Sequence, residues 1–537
     1  MVTQRIETGS THDPVDHRVA RPPRNEGKIM DVTRRTLIGT GALAAASLAD
    51  RRVLAAGLIA DVVIIGGGSA GAVLATRLSA DPRRRVLLLE AGPSFAPDGY
   101  PDVLTNPGVV GTPDFDWGYS SDDEARLGHD IPLPRGKVLG GSSAVNGTVA
   151  MRAKPSDFAR WTARGIAGWS WDDVLPAFKA MENTPSGASG WHGRTGPFPI
   201  RQRSLDELTP SSRAFVAAAR ATGLSTVDDF NGAEGDGAGA YPLNVVGGVR
   251  MNTGTVYLTA EVRARPNLAI RGGAEVDRII FSGKRATGAR LVSGEIVDGG
   301  EIILSGGTFG SPAILMRSGI GPAANLRALG IPVIADLPVG RRLQDHPFFY
   351  NVYALKTLDK GMLPAAGALA WTGSSGAARG DLDLQVSATH FIDPKASPTG
   401  GAIVLAAAVT LPKSIGSFEL ASRDPTVPPH IVACEPARSS SRTMAPSNAT
   451  RRSTRGSASE FTVAPGRSRS DCARRSSQTC DSENAATSLG SCQRAQWSAP
   501  AGMISHAPLA AEAVRSRVPP SRDSRLLIGL NDSSTIW

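Results

Sequence analysis

DVVIIGGGSAGAVLATRLSA, residues 61–80, is the stretch on which the fold turns. Asp61–Ile65 is apolar after its first residue, as in a strand buried on both faces. Gly66-Gly67-Gly68-Ser69-Ala70-Gly71 follows at once with GxGxxG spacing. Val73, Leu74 and Leu78 then fall on one helical face. A second apolar run, Val86–Leu89, ends in Glu90, nineteen residues past Gly71. Strand, glycine turn, helix, strand and acid predict a βαβ dinucleotide-binding unit. Gly66 permits the tight turn, Gly68 lets a pyrophosphate approach backbone N–H groups, and Gly71 lets helix and strand close together. The N-terminus of the helix offers partial positive charge to phosphates. Glu90 is placed to accept from ribose hydroxyls, and an acid there argues against a 2′-phosphate. Gly66, Gly68, Ser69, Gly71 and Glu90 are therefore candidate cofactor contacts. A glycine turn in another kind of βαβ unit is the competing reading, and the motif alone does not separate FAD from NAD.

Outward from this unit, 537 residues suggest two or three domains, and a composition 41% hydrophobic and 20% charged is that of a globular chain. No run reaches the ~18 apolar residues of a membrane span, so no membrane span is expected. The net charge of +9 sits at the ends: residues 1–57 carry +3, residues 434–537 carry +6, and the stretch between is neutral. A neutral body argues against nucleic-acid binding. All four cysteines (Cys434, Cys472, Cys480, Cys492) fall in the last fifth with no CxxC spacing, so no metal site is expected and the body needs no disulfides.

The two ends differ from the body. Residues 1–29 are polar and aperiodic; Met30 then opens MDVTRRTLIGTGALAAASLA, with Arg34-Arg35 before an uncharged stretch. The order basic, apolar, small resembles a twin-arginine export leader, which implies an exported, periplasmic protein starting at Met30. A mobile N-terminal extension, and a cytoplasmic protein, is the other reading. From Cys434 the chain turns about one-fifth serine, with arginine but no lysine and little periodicity. Composition predicts disorder there.

Arg135–Arg152, RGKVLGGSSAVNGTVAMR, decides between the cofactors. Gly140-Gly141-Ser142-Ser143 is a tight polar turn with several donors, and Asn146-Gly147 allows close backbone approach. The segment closely resembles the first signature of glucose–methanol–choline (GMC) flavoenzymes. FDWGYSS (115–121), GWSWDDVLPAFKAMEN (168–183), DFNGAEGDG (229–237) and the stretch Thr253–Phe281 follow in that family's order. Gly307–Gly321 resembles the second signature and Val339–Pro347 the motif after it. The resemblance implies FAD contacts at Val138, Gly141, Ser142, Asn146, Gly147, Thr148 and Val149, with Val276 holding the adenine through its backbone. It implies non-covalent FAD, because Val145 stands where some relatives carry the attaching histidine. His346 is expected to be structural, and Trp169 and Trp171 to pack in the core. An NAD(P)-dependent dehydrogenase would explain Gly66–Gly71 and Glu90 but not these segments.

The implied fold is α/β: a doubly wound, Rossmann-like FAD-binding domain at 58–347 and an interleaved α+β substrate domain beginning at 348–433. The implied activity is oxidation of the CH–OH group of a small alcohol by hydride transfer to flavin N5. The resemblance runs from Leu58 to Ile431. Beyond it the family's HPxGTCRMG-like stretch with its catalytic histidine is not legible; the only histidine there is His506. The catalytic base is thus unassigned, as is the electron acceptor. The simultaneous change in serine, lysine and cysteine usage suggests a reading-frame change near Cys434, which would leave the C-terminal part incomplete. The alternative function is a flavin-binding chain without catalysis.

Overall fold

The computed structural model describes residues 60–123, 128–233, 235–355 and 362–435, together with the backbone of two short strands, Val2–Arg5 and Leu526–Ile528. The expected leader at 30–57 and nearly all of the expected aberrant tail at 434–537 lie outside these residues.

In chain order the strands that build the two large sheets are β1 (Ala60–Ile65), β2 (Val86–Leu89), β3 (Gly237–Ala240), β4 (Leu268–Arg271), β5 (Val276–Ser282), β6 (Arg285–Leu291), β7 (Ile296–Leu304), β8 (Phe348–Leu355), β9 (Ala366–Thr372), β10 (Leu384–Thr389) and β11 (Ala402–Val409). The helices that matter here are α1 (Ser69–Leu78), α2 (Trp171–Met181), α3 (Pro210–Ala221) and α4 (Gly307–Arg317).

The first sheet has the order β5-β6-β7-β1-β2-β4. β7, β1, β2 and β4 are mutually parallel, with Ile303 opposite Ile64 and Ile64 opposite Leu88. β5 and β6 extend the edge as an antiparallel meander, and the backbone of Leu526–Ile528 pairs with β7 at Ile302–Leu304. Apolar residues run without a break from Val62 to Ile65 of β1 and through β2 because both faces are covered. Val63, Ile65, Leu87 and Leu89 pack with Phe309, Ile314 and Leu315 of α4 on one face. Val62, Ile64, Val86 and Leu88 pack against Ala72 and Ala75 of α1 on the other.

The most buried face of α1 is Gly71, Ala72 and Ala75. Leu74 and Leu78 flank it, and Val73 turns instead toward Tyr257. Small residues at the contact let the helix settle closer to the sheet than leucines would. α2 starts at a reciprocal cap, in which Asp173 N donates to Ser170 Oγ and Asp173 Oδ2 accepts from Ser170 N at 2.9 Å. Trp169 and Trp171 do not enter the core as expected. They are half-buried, Trp169 tilted against Trp161 and Trp171 against Phe158 and Trp191. These four indoles pack against one another and against the buried Phe158, which leaves each of them partly exposed.

The second sheet is antiparallel, ordered β8-β11-β10-β9-β3, with Val2–Arg5 pairing at the β8 edge. β3 comes from within the 58–347 stretch, which is the interleaving expected from the resemblance. Residue alternation splits the faces of this sheet. Ala368 and Ala370 of β9 pack with Val216 of α3, while Leu369 and Trp371 pack with Met151, Tyr241 and Leu243. This second face meets the end of the Arg135 signature at Val149 and Met151.

Candidate functional site

The first glycine turn follows the carboxyl end of β1, and Glu90 follows that of β2. Gly66 has φ +99°, and a Cβ there would lie 2.4 Å from Ser305 O. A Cβ on Gly71 would lie 1.9 Å from Gly66 O, so no side chain fits at either position. Gly68 caps α1 without a side chain, and the first turn of α1 carries no acid. No acid within the helix itself therefore offsets its dipole at that end. Ser69 Oγ is buried with no hydrogen-bond partner. A phosphate oxygen at the start of α1 would supply that partner.

Glu90 bonds to the same turn. Its Oε2 accepts from Gly67 N and its Oε1 from Gly92 N, both at 2.8 Å, and its carbonyl accepts from Ala274 N at 2.8 Å. Burial pushes the Glu90 carboxyl up to about 7, against the pull of the Gly92 and Gly67 N–H groups and of Lys137. Each carboxylate oxygen keeps a second lone pair for a ribose hydroxyl. Lys137 Nζ pairs with Glu275 at 2.9 Å, immediately before Val276, which begins β5 and is buried.

The Arg135 signature docks onto this turn. Gly140 N donates to Gly67 O at 2.8 Å. Gly140 has φ +97° and Gly141 φ +53°, and a Cβ on Gly141 would lie 2.7 Å from Gly68 Cα. Two glycine motifs more than seventy residues apart in sequence thus form one cradle. A short 3-10 turn, Gly141–Ala144, leads from it; Ser142 Oγ accepts from Gly136 N at 3.1 Å and Ser143 Oγ from Thr253 N at 3.1 Å. Asn146 Oδ1 then accepts from Thr148 N at 3.0 Å. That bond holds Thr148 at φ +62°, an uncommon angle for threonine. Gly147 faces the ring of Phe391 so closely that a Cβ would lie 2.8 Å from it. Val138 and Val145 are buried with Tyr100 and Leu104. An apolar Val145 has no atom that could bond covalently to a cofactor.

Of the residues singled out from the sequence for cofactor contact, the Gly66–Gly71 turn, Gly141 and Glu90 are in direct contact with one another, and Val149 packs with residues of the second sheet. His346 stands apart from the glycine turn, edge-on to Phe348 with ring centroids 4.6 Å apart. Burial and the Arg135 charge lower it to about 3, so its ring is neutral at physiological pH.

Several residues of the site had no motif to reveal them. Ser305 is 1% exposed and donates to Gly66 O at 2.8 Å; the only hint is its place at the end of a strand parallel to β1. Asn252 caps the turn Thr253–Val256 and presses its Oδ1 against Gly140. Arg250 is buried and donates to the carbonyls of Leu104, Val109 and Ala144, binding the outer loop to the signature. Among the described residues no cluster of metal-ligating side chains occurs, and no helix is long and apolar enough to cross a membrane.

Comparison with known proteins falls on the same residues. The sequence model of the GMC oxidoreductase family matches residues 60–348. An oxygen-dependent choline dehydrogenase from Rhizobium etli is 41% identical over 302 residues, 54% of this chain and 53% of that protein. One from Brucella ovis is 41% identical over 298 residues, 53% of each. The chain thus spans about half the length of the curated relatives it matches. Among solved structures, a pyridoxine 4-oxidase from Mesorbium loti superposes with a TM-score of 0.64 at 35% identity, covering 70% of this chain and 75% of that one. An FAD-dependent oxidoreductase from Chaetomium thermophilum superposes with a TM-score of 0.60 at 25% identity, covering 69% and 77%.

Proposed function

The chain belongs to the GMC oxidoreductase family, and on that premise we propose that it binds FAD non-covalently and oxidises the CH–OH group of a small alcohol to a carbonyl. The observation that carries this reading is the joint cradle, in which Gly140 and Gly141 sit on Gly67 and Gly68. A nicotinamide-binding βαβ unit has no need of that second glycine turn.

Bound FAD supplies the hydride acceptor at its N5. The chain's own residues do the rest. Gly66–Gly71 and the start of α1 hold the pyrophosphate through backbone N–H groups, with Ser69 Oγ as an added donor. Glu90 accepts from the adenosine ribose hydroxyls, and Val276 holds the adenine by its backbone. Val138, Gly141 and Ser142 support the middle of the cofactor. Asn146–Val149 carry the isoalloxazine, with Gly147 letting Phe391 pack against the segment and Thr148 held in its turn by Asn146. The second sheet stands across from this segment and walls the space for an alcohol. We assign the flavin domain to 58–347 and the beginning of the substrate domain to 348–433, with export if the Met30 leader functions.

The relatives are enzymes, which does not favour the reading of a chain that binds flavin without catalysis. The test is direct. The purified full chain should be yellow, and an alcohol from a panel including choline and pyridoxine should bleach it under anaerobic conditions. A colourless chain overturns the flavin reading; a yellow chain that no alcohol bleaches overturns the oxidoreductase reading alone.

A further inference from the structure

Behind the flavin segment lies a closed polar ring that begins and ends on Arg152. Arg152 N donates to Asn231 Oδ1 at 2.8 Å. Asn231 N donates to Asp229 Oδ1 at 3.0 Å. Asp229 Oδ2 lies 2.7 Å from His192 Nε2, and His192 Nδ1 lies 3.1 Å from Glu182 Oε1. Glu182 Oε1 pairs in turn with Arg152 Nη2 at 2.7 Å. Arg152, Glu182, His192 and Asn231 are each at most 3% exposed. Asn231 also donates from Nδ2 to Ala150 O at 2.8 Å. One amide side chain therefore holds the backbone on both sides of Met151.

Burial opposes a charge on His192, but its bonds to Asp229 and Glu182 outweigh that and raise it to about 9. The ring is then two cations and two carboxylates, neutral as a whole. Burying four charges is a poor way to gain stability, since desolvation offsets most of the attraction. What such a ring does supply is a fixed geometry. The geometry it fixes is that of the strand-like segment just after the flavin contacts: Val149 and Met151 pack with Leu243 and Phe391, and Asn244 N donates to Thr148 O at 3.0 Å.

We infer that Asn231, Asp229, His192 and Glu182 are positioning residues, which lock Ala150–Arg152 and so set where Asn146–Val149 meet the isoalloxazine. This rests on the reading of Asn146–Val149 as flavin contacts. Of the polar contacts named, only Asn231 touches the segment from outside by its side chain on two backbone atoms, and the other ring members hold Asn231 and Arg152 in place.

The test uses the full chain with FAD. Asn231→Asp keeps the shape and the bond to Arg152 N but turns the donor facing Ala150 O into an acceptor. His192→Gln cannot span both carboxylates. Ser318→Ala is the control: Ser318 Oγ accepts from Ile279 N at 2.8 Å in the flavin domain, away from the ring. Both ring variants should weaken FAD on the order of tenfold by fluorescence titration and alter the visible circular dichroism of the flavin that remains bound. The control should lower the melting temperature and leave both flavin readouts unchanged. Wild-type affinity and spectrum in the ring variants would overturn the inference, as would equal flavin effects in the control. If His192→Gln yields no folded chain, Asn231→Asp decides alone. A wild-type chain that takes up no FAD overturns the underlying flavin reading first, a result visible before any variant is made.

Discussion

The glycine cradle at 66–71 and 140–141 and the second sheet at 348–409 are built on opposite rules. In the cradle the backbone does the work and side chains are excluded: a Cβ on Gly66, Gly71 or Gly141 would lie within 2.7 Å of backbone atoms. In the sheet the side chains do the work. Tyr241 OH lies 2.5 Å from Ser387 Oγ and accepts from Gln385 Nε2 at 2.6 Å, a polar patch on the face turned toward Met151 and Leu243. One region is rigid by steric necessity, and the other can be rewritten residue by residue. A cofactor common to a family belongs in the first, and a substrate that varies belongs in the second.

Gly71→Ala strikes the cradle hardest. Its new methyl group meets Gly66 O at 1.9 Å, where backbone and not a flexible side chain must yield. A loss of about 3 kcal/mol in stability and a colourless chain are expected, read by thermal melting and flavin content. A yellow, stable Gly71→Ala protein would show that the turn has more freedom than the comparison allows.

Glu90 gives a pH signature of nearly the same size. Its folded value is raised, from 4.5 to about 7, so the folded chain keeps a proton that the unfolded chain releases. The contribution is greatest below about 4.5 and falls as pH rises through about 7, by roughly 3 kcal/mol in all. In the absence of FAD, the stability of Glu90→Gln minus that of wild type should therefore rise over that window. A flat difference would mean that Glu90 ionises freely and that its site is wetter than its burial implies.

Tyr241→Phe should have the smallest effect. It removes one buried hydroxyl from the Ser387–Gln385 patch, for about 1 kcal/mol of stability. FAD affinity should not change, whereas the order of preference among alcohols should. If FAD affinity falls as well, the two regions are coupled and the contrast between them fails.

The same contrast explains what could be read from the sequence. A steric requirement for glycine is written into the chain at the position where it acts, so the turns at Gly66–Gly71 and Gly140–Gly141 were legible. Strand β1 was legible because the part of a strand buried on both faces, here Val62–Ile65, must be apolar. The helix face was misjudged: periodicity pointed to Val73, Leu74 and Leu78, but close approach to the sheet selects Gly71, Ala72 and Ala75. Trp169 and Trp171 were misplaced because hydrophobicity favours burial without saying whether indoles pack in the core or against one another.

The sequence by itself determined the dinucleotide turn, the acid at its far end and the second glycine loop that belongs with it. Each depends on residues close together in the chain, or on a backbone conformation that few residues can adopt. Only the tertiary structure decided that Gly140 and Gly141 rest on Gly67 and Gly68, that Ser305 braces Gly66, and that Asn231 clamps Ala150 and Arg152. These are contacts between distant segments made by residues of ordinary type. No local pattern marks a serine or an asparagine whose partner is fixed by how two sheets come to lie side by side.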